Sequence, residues 1–165
     1  MSLPKAGDAI SFVRVRPVEA SHVADLILIG EETNLSRWSA QSYLEEIKNP
    51  DSLMLRLEAD DNSTIGFIVG RSVVGGQIET VTDAEIYNIA VTKHEQRKGF
   101  GQLLFDAFGS QCRKREVANI WLEVRESNVN AIAFYERNGF EPVQTRQSFY
   151  ENPREHAILM RLILK

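Results

Sequence analysis

The chain has 165 residues, 43% hydrophobic and 25% charged, an ordinary balance for one globular domain with a sizeable core. Its net charge of -4 disfavours generic nucleic-acid binding, and its single cysteine, Cys112, excludes an internal disulfide. His22, His94 and His156 are scattered without metal-ligand spacing, so no metal is expected. No apolar run approaches the roughly 20 residues that span a bilayer. MSLPKAGDA at the start lacks the apolar core of a secretory signal, so no membrane association and a cytoplasmic location are expected. Residues 1–165 are expected to form a single domain, with residues 1–9 as a flexible N-terminus.

SFVRVRP alternates up to Pro17 and reads as a first strand. From Glu19 to Glu32, Val23, Leu26, Ile27 and Gly30 recur at helical spacing. Ser39 is a good cap for a second helix that turns Tyr43, Leu44 and Ile47 inward. SLMLRLEAD and TIGFIVGRSVV form a hairpin through the turn residues DDNS, and GGQ begins another turn. AEIYNIAVT is apolar on much of both faces and is expected to be central. Phe100, Leu104, Phe108 and Cys112 then fall on one stripe of a helix running from Gly99 to Lys114.

NIWLEV is a second apolar strand. Asn130 to Asn138 is a short helix closed by Gly139. FEPVQTR and HAILMRLIL are closing strands, expected to be joined by a long polar loop around SFYENPRE. The order β-α-α-β-β-β-α-β-α-β-β predicts an α/β (α+β) fold. Its mixed sheet is mostly antiparallel, contains one parallel βαβ unit and carries helices on both faces.

Two stretches carry chemistry. In HEQRKGFGQ, Gly99 and Gly101 let backbone approach a ligand at a helix N-terminus, where free N–H groups and the dipole favour anions. Arg97 and Lys98 add positive charge, so the loop suits a pyrophosphate; the alternative is a glycine turn with solvated charges. In NIWLEVRESN, Glu123 interrupts an apolar run. A carboxylate in such a setting is a candidate general base, because burial disfavours a charged form. The alternative is a rim carboxylate paired with Arg125 or Arg137.

The segment IYNIAVTKHEQRKGFGQLLFDAF resembles the acetyl-CoA-binding motif of the GNAT N-acetyltransferases. Gln96, Arg97, Lys98, Gly99, Phe100 and Gly101 stand at the signature Gln/Arg-x-x-Gly-x-Gly/Ala. NVNAIAFYERNGF is similar to that family's second motif, with Asn128, Ala131, Tyr135, Gly139 and Phe140 in place. NIAV, WLEVRxSN, AIAFYE, FYENPREHAILM and Trp38-Ser39 look like the RimI branch, enzymes that acetylate the N-terminal alanine of a ribosomal protein. Arg37 and Asn130 depart from that branch's pattern, where a proline and a small residue are usual.

The resemblance implies acetyl-CoA as cosubstrate. Main-chain groups of Ile89, Ala90 and Val91 would pair with the pantetheine arm, and amides from Gln96 to Gly101, with Gln102 beside them, would hold the pyrophosphate. Asn128 would contact the arm, a role compatible with its other reading as a helix cap. Tyr135 would sit near the thioester sulfur as general acid, and Glu123 would be the general base; a core aromatic is the other reading of Tyr135. Glu85 is a second candidate base. Tyr87 and Tyr150, the latter with Phe149, are candidates for the acceptor site. The expected reaction is direct transfer to an amine, above all the N-terminus of a peptide or protein such as a ribosomal protein, by a monomer or homodimer. The alternatives are transfer to a small-molecule amine and a non-catalytic acyl-CoA-binding module.

Overall fold

In the computed structural model, residues 12–74 and 81–164 are described; the expected flexible N-terminus and the turn at GGQ lie outside them. Seven strands form one sheet in the order β1-β2-β3-β4-β5-β7-β6. The strands are β1 (Arg14–Pro17), β2 (Ser52–Glu58), β3 (Thr64–Val74), β4 (Thr82–Val91), β5 (Val117–Arg125), β6 (Glu141–Glu151) and β7 (Arg154–Ile163). All neighbours are antiparallel except β4 and β5, which are parallel. The helices are α1 (Val23–Glu32), α2 (Ala40–Lys48), α3 (Phe100–Lys114) and α4 (Val129–Arg137). The predicted element order and central position of β4 are thus found. Ser39 caps α2 as expected, its hydroxyl accepting from the Ser42 N–H at 3.0 Å.

Strand alternation divides the side chains between two cores. Ile120, Leu122 and Val124 of β5 join Leu104, Phe105, Phe108 and Cys112 of α3 and Tyr135 of α4. Val23, Leu26 and Ile29 of α1 and Tyr43 of α2 pack against Phe67, Val69 and Ala90 on the other face. Helices therefore cover both faces, because the central strands are apolar on both. Cys112 is fully buried, and burial pushes its thiol up to about 12, which makes it a packing residue rather than a nucleophile.

The closing strands differ from the sequence expectation. SFYENPRE is no long loop: β6 continues to Glu151 and turns at Asn152–Pro153 into β7. As an edge strand exposed along nearly all its length, β6 lacks the apolar alternation that reveals a half-buried strand. Its register with β7 slips between Arg146 and Tyr150, where Ser148 adopts φ 52° and its N–H donates to His156 Nδ1 at 2.9 Å. The bulge bends the strand and re-aims its last residues.

The β3–β4 pairing also slips. Val69 faces Asn88 but Gly70 faces Ile86, which leaves Tyr87 as an extra residue on β4. Beside this bulge, the α3 ring Phe108 fills the space over Gly70. A Cβ on Gly70 would stand 2.5 Å from both the Glu85 carbonyl oxygen and the Phe108 ring. Gly70→Ala is therefore expected to destabilise the fold by about 2 kcal/mol or more through overpacking. A urea midpoint unchanged from wild type would contradict this.

Candidate active site

The bulge and the parallel pair together open a cleft. β4 and β5 remain paired from Thr82 and Val117 only to Ile86 and Leu122. Beyond them β4 still pairs with β3 as far as Val91. One edge of Tyr87–Val91 thus loses its neighbour strand and presents backbone N–H and C=O groups to a cavity of about 870 Å³. Ile86–Val91 form one wall and Leu122–Arg125 the other; residues of the α1–α2 loop, the start of α3, α4 and Tyr150 complete the lining.

At one end lies the glycine loop. Arg97 takes φ 62° and Gly99 φ 85°, so the chain turns sharply into α3. No side chain caps this 15-residue helix, whose first internal bond runs from Leu103 N–H to the Gly99 carbonyl. The N–H groups of Phe100, Gly101 and Gln102 consequently have no partner within the helix and lie at its positive end. A Cβ on Gly99 would meet nothing within 4 Å, and one on Gly101 would touch only Phe134, at 4.0 Å. Internal packing therefore gives Gly101 no reason to be glycine; close approach by a phosphate gives it one.

The predicted loop residues divide by what their side chains do. Arg97 lines the cleft beside Gly99, Phe100 and Gly101. Lys98 instead pairs with Glu95 at 2.9 Å and is absent from the described lining. Gln96 donates to the Val91 carbonyl at 2.9 Å and ties the loop to the strand end. Gln102 donates to Asn138 Oδ1 at 2.7 Å and so links α3 to the end of α4. Asn128 caps α4, its side chain accepting from the Ala131 N–H at 3.2 Å, and it also borders the cleft.

At the other end, Glu123 reaches the cleft because the odd residues of β5 from Asn119 to Arg125 face away from the α3 core. Its side chain is 17% exposed and pairs with Arg146 Nη1 at 2.6 Å. Neither anticipated partner holds it: Arg125 pairs with Glu155 at 3.2 Å and stacks 4.0 Å from the Tyr150 ring centre. Arg146 belongs to β6, two strands away in the sheet. It stands opposite Ala157, which stands opposite Arg125, so only a methyl separates them along that row.

Glu85 lies on β4 opposite Trp121, on the sheet face that also carries Glu123, and is not among the residues that line the cleft. Burial first, then repulsion from Glu123, hold its carboxyl above the usual range, while Arg146 and Arg71 oppose the rise. Tyr87 lines the cleft and rests against Trp38, ring centres 5.7 Å apart. Tyr150 also lines it, whereas Phe149 is 43% exposed and packs edge-on against Tyr150.

Tyr135 is both a core and a cleft residue. Its ring packs against Phe134 and Phe140, each at 5.5 Å, and the residue borders the cavity. Burial, with a smaller contribution from Tyr150, drives its phenol well above the usual range, so it stays protonated at every pH the protein meets. Among the described residues no cluster of His, Cys, Asp and Glu could hold a metal, and no helix is long and apolar enough to cross a membrane.

Residues 22–140 match the Acetyltransferase (GNAT) family. The chain is 33% identical over 153 residues to the [ribosomal protein bS18]-alanine N-acetyltransferase of Haemophilus influenzae, covering 91% of this chain and 98% of that one. The crystal structure of the ribosomal-protein-S18-alanine N-acetyltransferase from Escherichia coli superposes with a TM-score of 0.81 at 28% identity, over 93% of this chain and 95% of that one. Arabidopsis thaliana NAA60 in complex with acetyl-CoA shares the fold, with a TM-score of 0.84 at 17% identity over 93% and 99% of the chains.

Proposed function

The chain belongs to the GNAT acetyltransferase family and is an acetyl-CoA-dependent N-acetyltransferase, and from that premise we propose that it acetylates the N-terminal α-amine of a peptide or protein, a ribosomal protein being the first candidate. One observation carries this reading: a single cleft runs from the glycine loop to Glu123, with Tyr135 in its wall. Likeness to ribosomal-protein-alanine N-acetyltransferases supports a protein amine as the acceptor class.

Acetyl-CoA brings an acetyl group activated as a thioester. The free N–H groups opening α3, with Arg97, hold its pyrophosphate. The open edge of Ile89, Ala90 and Val91 takes the amides of the pantetheine arm as an added strand would, and Asn128 steadies that arm. Glu123 accepts the proton that the ammonium must lose, directly or through one water. The amine nitrogen then bonds to the acetyl carbon while the carbon–sulfur bond breaks and its electron pair goes to sulfur. The nitrogen's remaining extra proton passes to that sulfur, leaving the amide and the CoA thiol, and Glu123 returns its proton to water. The phenol of Tyr135 donates to that sulfur as its charge develops. A phenol raised by burial is less acidic than a thiol, which titrates near 8.5, so Tyr135 stabilises the leaving sulfur chiefly as a hydrogen-bond donor.

Tyr135→Phe keeps the ring packing and removes only this donor. The expected result is a fall in turnover of about 100-fold with unchanged acetyl-CoA affinity. Turnover within about threefold of wild type would remove Tyr135 from the chemistry.

The acceptor class is tested by steady-state kinetics on peptides beginning with alanine, compared with polyamines, free amino acids and aminoglycosides. The peptides are expected to give the higher kcat/KM. Turnover of a small amine with none of any peptide would overturn the acceptor assignment, and tight acetyl-CoA binding without any transfer would overturn the proposed chemistry.

A further inference from the structure

Asn88 stands at the bulge of β4, where the β4–β5 cleft begins to open, and is only 4% exposed. Among the described residues its Nδ2 is one of three buried side-chain nitrogen or oxygen atoms without a hydrogen-bond partner, and Asn88 alone of those residues lines the cleft. An unsatisfied buried donor costs about 1–3 kcal/mol. Leaving one in a cleft wall makes sense where a ligand supplies the acceptor.

The position of Asn88 says which ligand. Its cross-strand partner Val69 belongs to the core under α1 and α2, so Asn88 faces that side. Because Tyr87 is an extra residue, Tyr87 and Asn88 lie on this same side, with Glu123 across the gap. Ile89 and Val91 turn the other way, into the α3 core. Asn88 therefore borders the side of the cleft that receives the acceptor. A neutral amide N–H calls for a carbonyl oxygen, and the first carbonyl of a peptide lies two bonds from its α-amine nitrogen.

We propose that Asn88 is a specificity residue whose Nδ2 donates a hydrogen bond to the first main-chain carbonyl of the acceptor peptide, setting the α-amine toward Glu123. This rests on the reading that the acceptor is a peptide N-terminus. It makes the cleft select amines that carry a carbonyl on the adjacent carbon, because any other amine leaves the buried donor unpaired.

The test compares an alanine-initiated peptide with its analogue in which the first carbonyl is a methylene, on wild type, Asn88→Ala and Asn88→Ser. Wild type is expected to lose about tenfold or more in kcat/KM on the analogue. Asn88→Ala is expected to treat the two acceptors alike within about twofold, with its KM for acetyl-CoA unchanged; Asn88→Ser, which retains a donor on a shorter arm, is expected to fall between. A loss on the analogue equally large in all three proteins would overturn the inference while leaving the peptide assignment standing. A raised KM for acetyl-CoA with an unchanged KM for the peptide would overturn it in favour of the thioester carbonyl. Absence of wild-type turnover on the unmodified peptide would sink the peptide reading and this inference together.

Discussion

Glu123→Gln is expected to lower the rate of acetyl transfer by at least about 100-fold while leaving acetyl-CoA affinity unchanged. Glutamine keeps the shape and one hydrogen-bonding oxygen, so the short contact with Arg146 can persist in neutral form. What disappears is the capacity to take a proton. Near neutrality roughly a tenth of an α-amine, which titrates near 8, is already unprotonated. The variant should therefore recover part of its rate as pH rises and the acceptor deprotonates unaided. Glu85→Gln is the control: it changes a carboxyl outside the cleft lining, and the expected loss is no more than about tenfold. Full activity of Glu123→Gln from pH 6 to 9, or a larger loss for Glu85→Gln, would move the base from Glu123 to Glu85.

Gly101→Val is expected to weaken acetyl-CoA binding by about 30- to 100-fold, the equivalent of losing about 2–3 kcal/mol of charge-assisted hydrogen bonding. The first added carbon, the Cβ, meets nothing within 4 Å except the Phe134 ring, at 4.0 Å. Valine also avoids the backbone entropy of glycine in a helix. Calorimetric titration with acetyl-CoA and a thermal melt separate the outcomes. Weak binding by a protein as stable as wild type supports the phosphate cradle. Unchanged affinity would show that the pyrophosphate sits elsewhere.

The parts of this molecule legible in the sequence are those governed by local patterns. The stripe Phe100, Leu104, Phe108 and Cys112 fixed α3 and its buried face, and the same residues pack in the observed core. The glycines of the loop marked the helix entry, and α3 begins at Phe100. Glu123 looked anomalous in an apolar run, yet alternation alone places it on the open face of β5, so burial is not what distinguishes it. Its place at the point where β4 and β5 part does distinguish it, and that point depends on sheet register.

Register also hid the partner of Glu123. Arg146 meets it diagonally across β7, one row along from the row Glu123–Leu159–Gln144, a contact that only the order and register of β5, β7 and β6 create. Glu46 of α2 gave no signal either; it is buried against Arg71, whose Nε donates to it at 3.2 Å across 25 residues of sequence. Asn88 was passed over for Ile89–Val91, because an asparagine in NIAV carries no pattern until its amide is seen buried and unpartnered. The charge of Lys98 suggested phosphate; in the structure it pairs with the neighbouring Glu95.

The most direct test of the proposed transfer uses one peptide carrying both a free N-terminal alanine and an internal lysine, incubated with wild-type protein and acetyl-CoA near pH 7.5 and fragmented in a mass spectrometer. The lysine amine titrates near 10.4 and is almost wholly protonated there, whereas the α-amine is substantially free. One acetyl group is expected, located on the α-nitrogen and nearly absent with Glu123→Gln. Acetyl on the lysine, or none on either amine from a protein that binds acetyl-CoA, would contradict it.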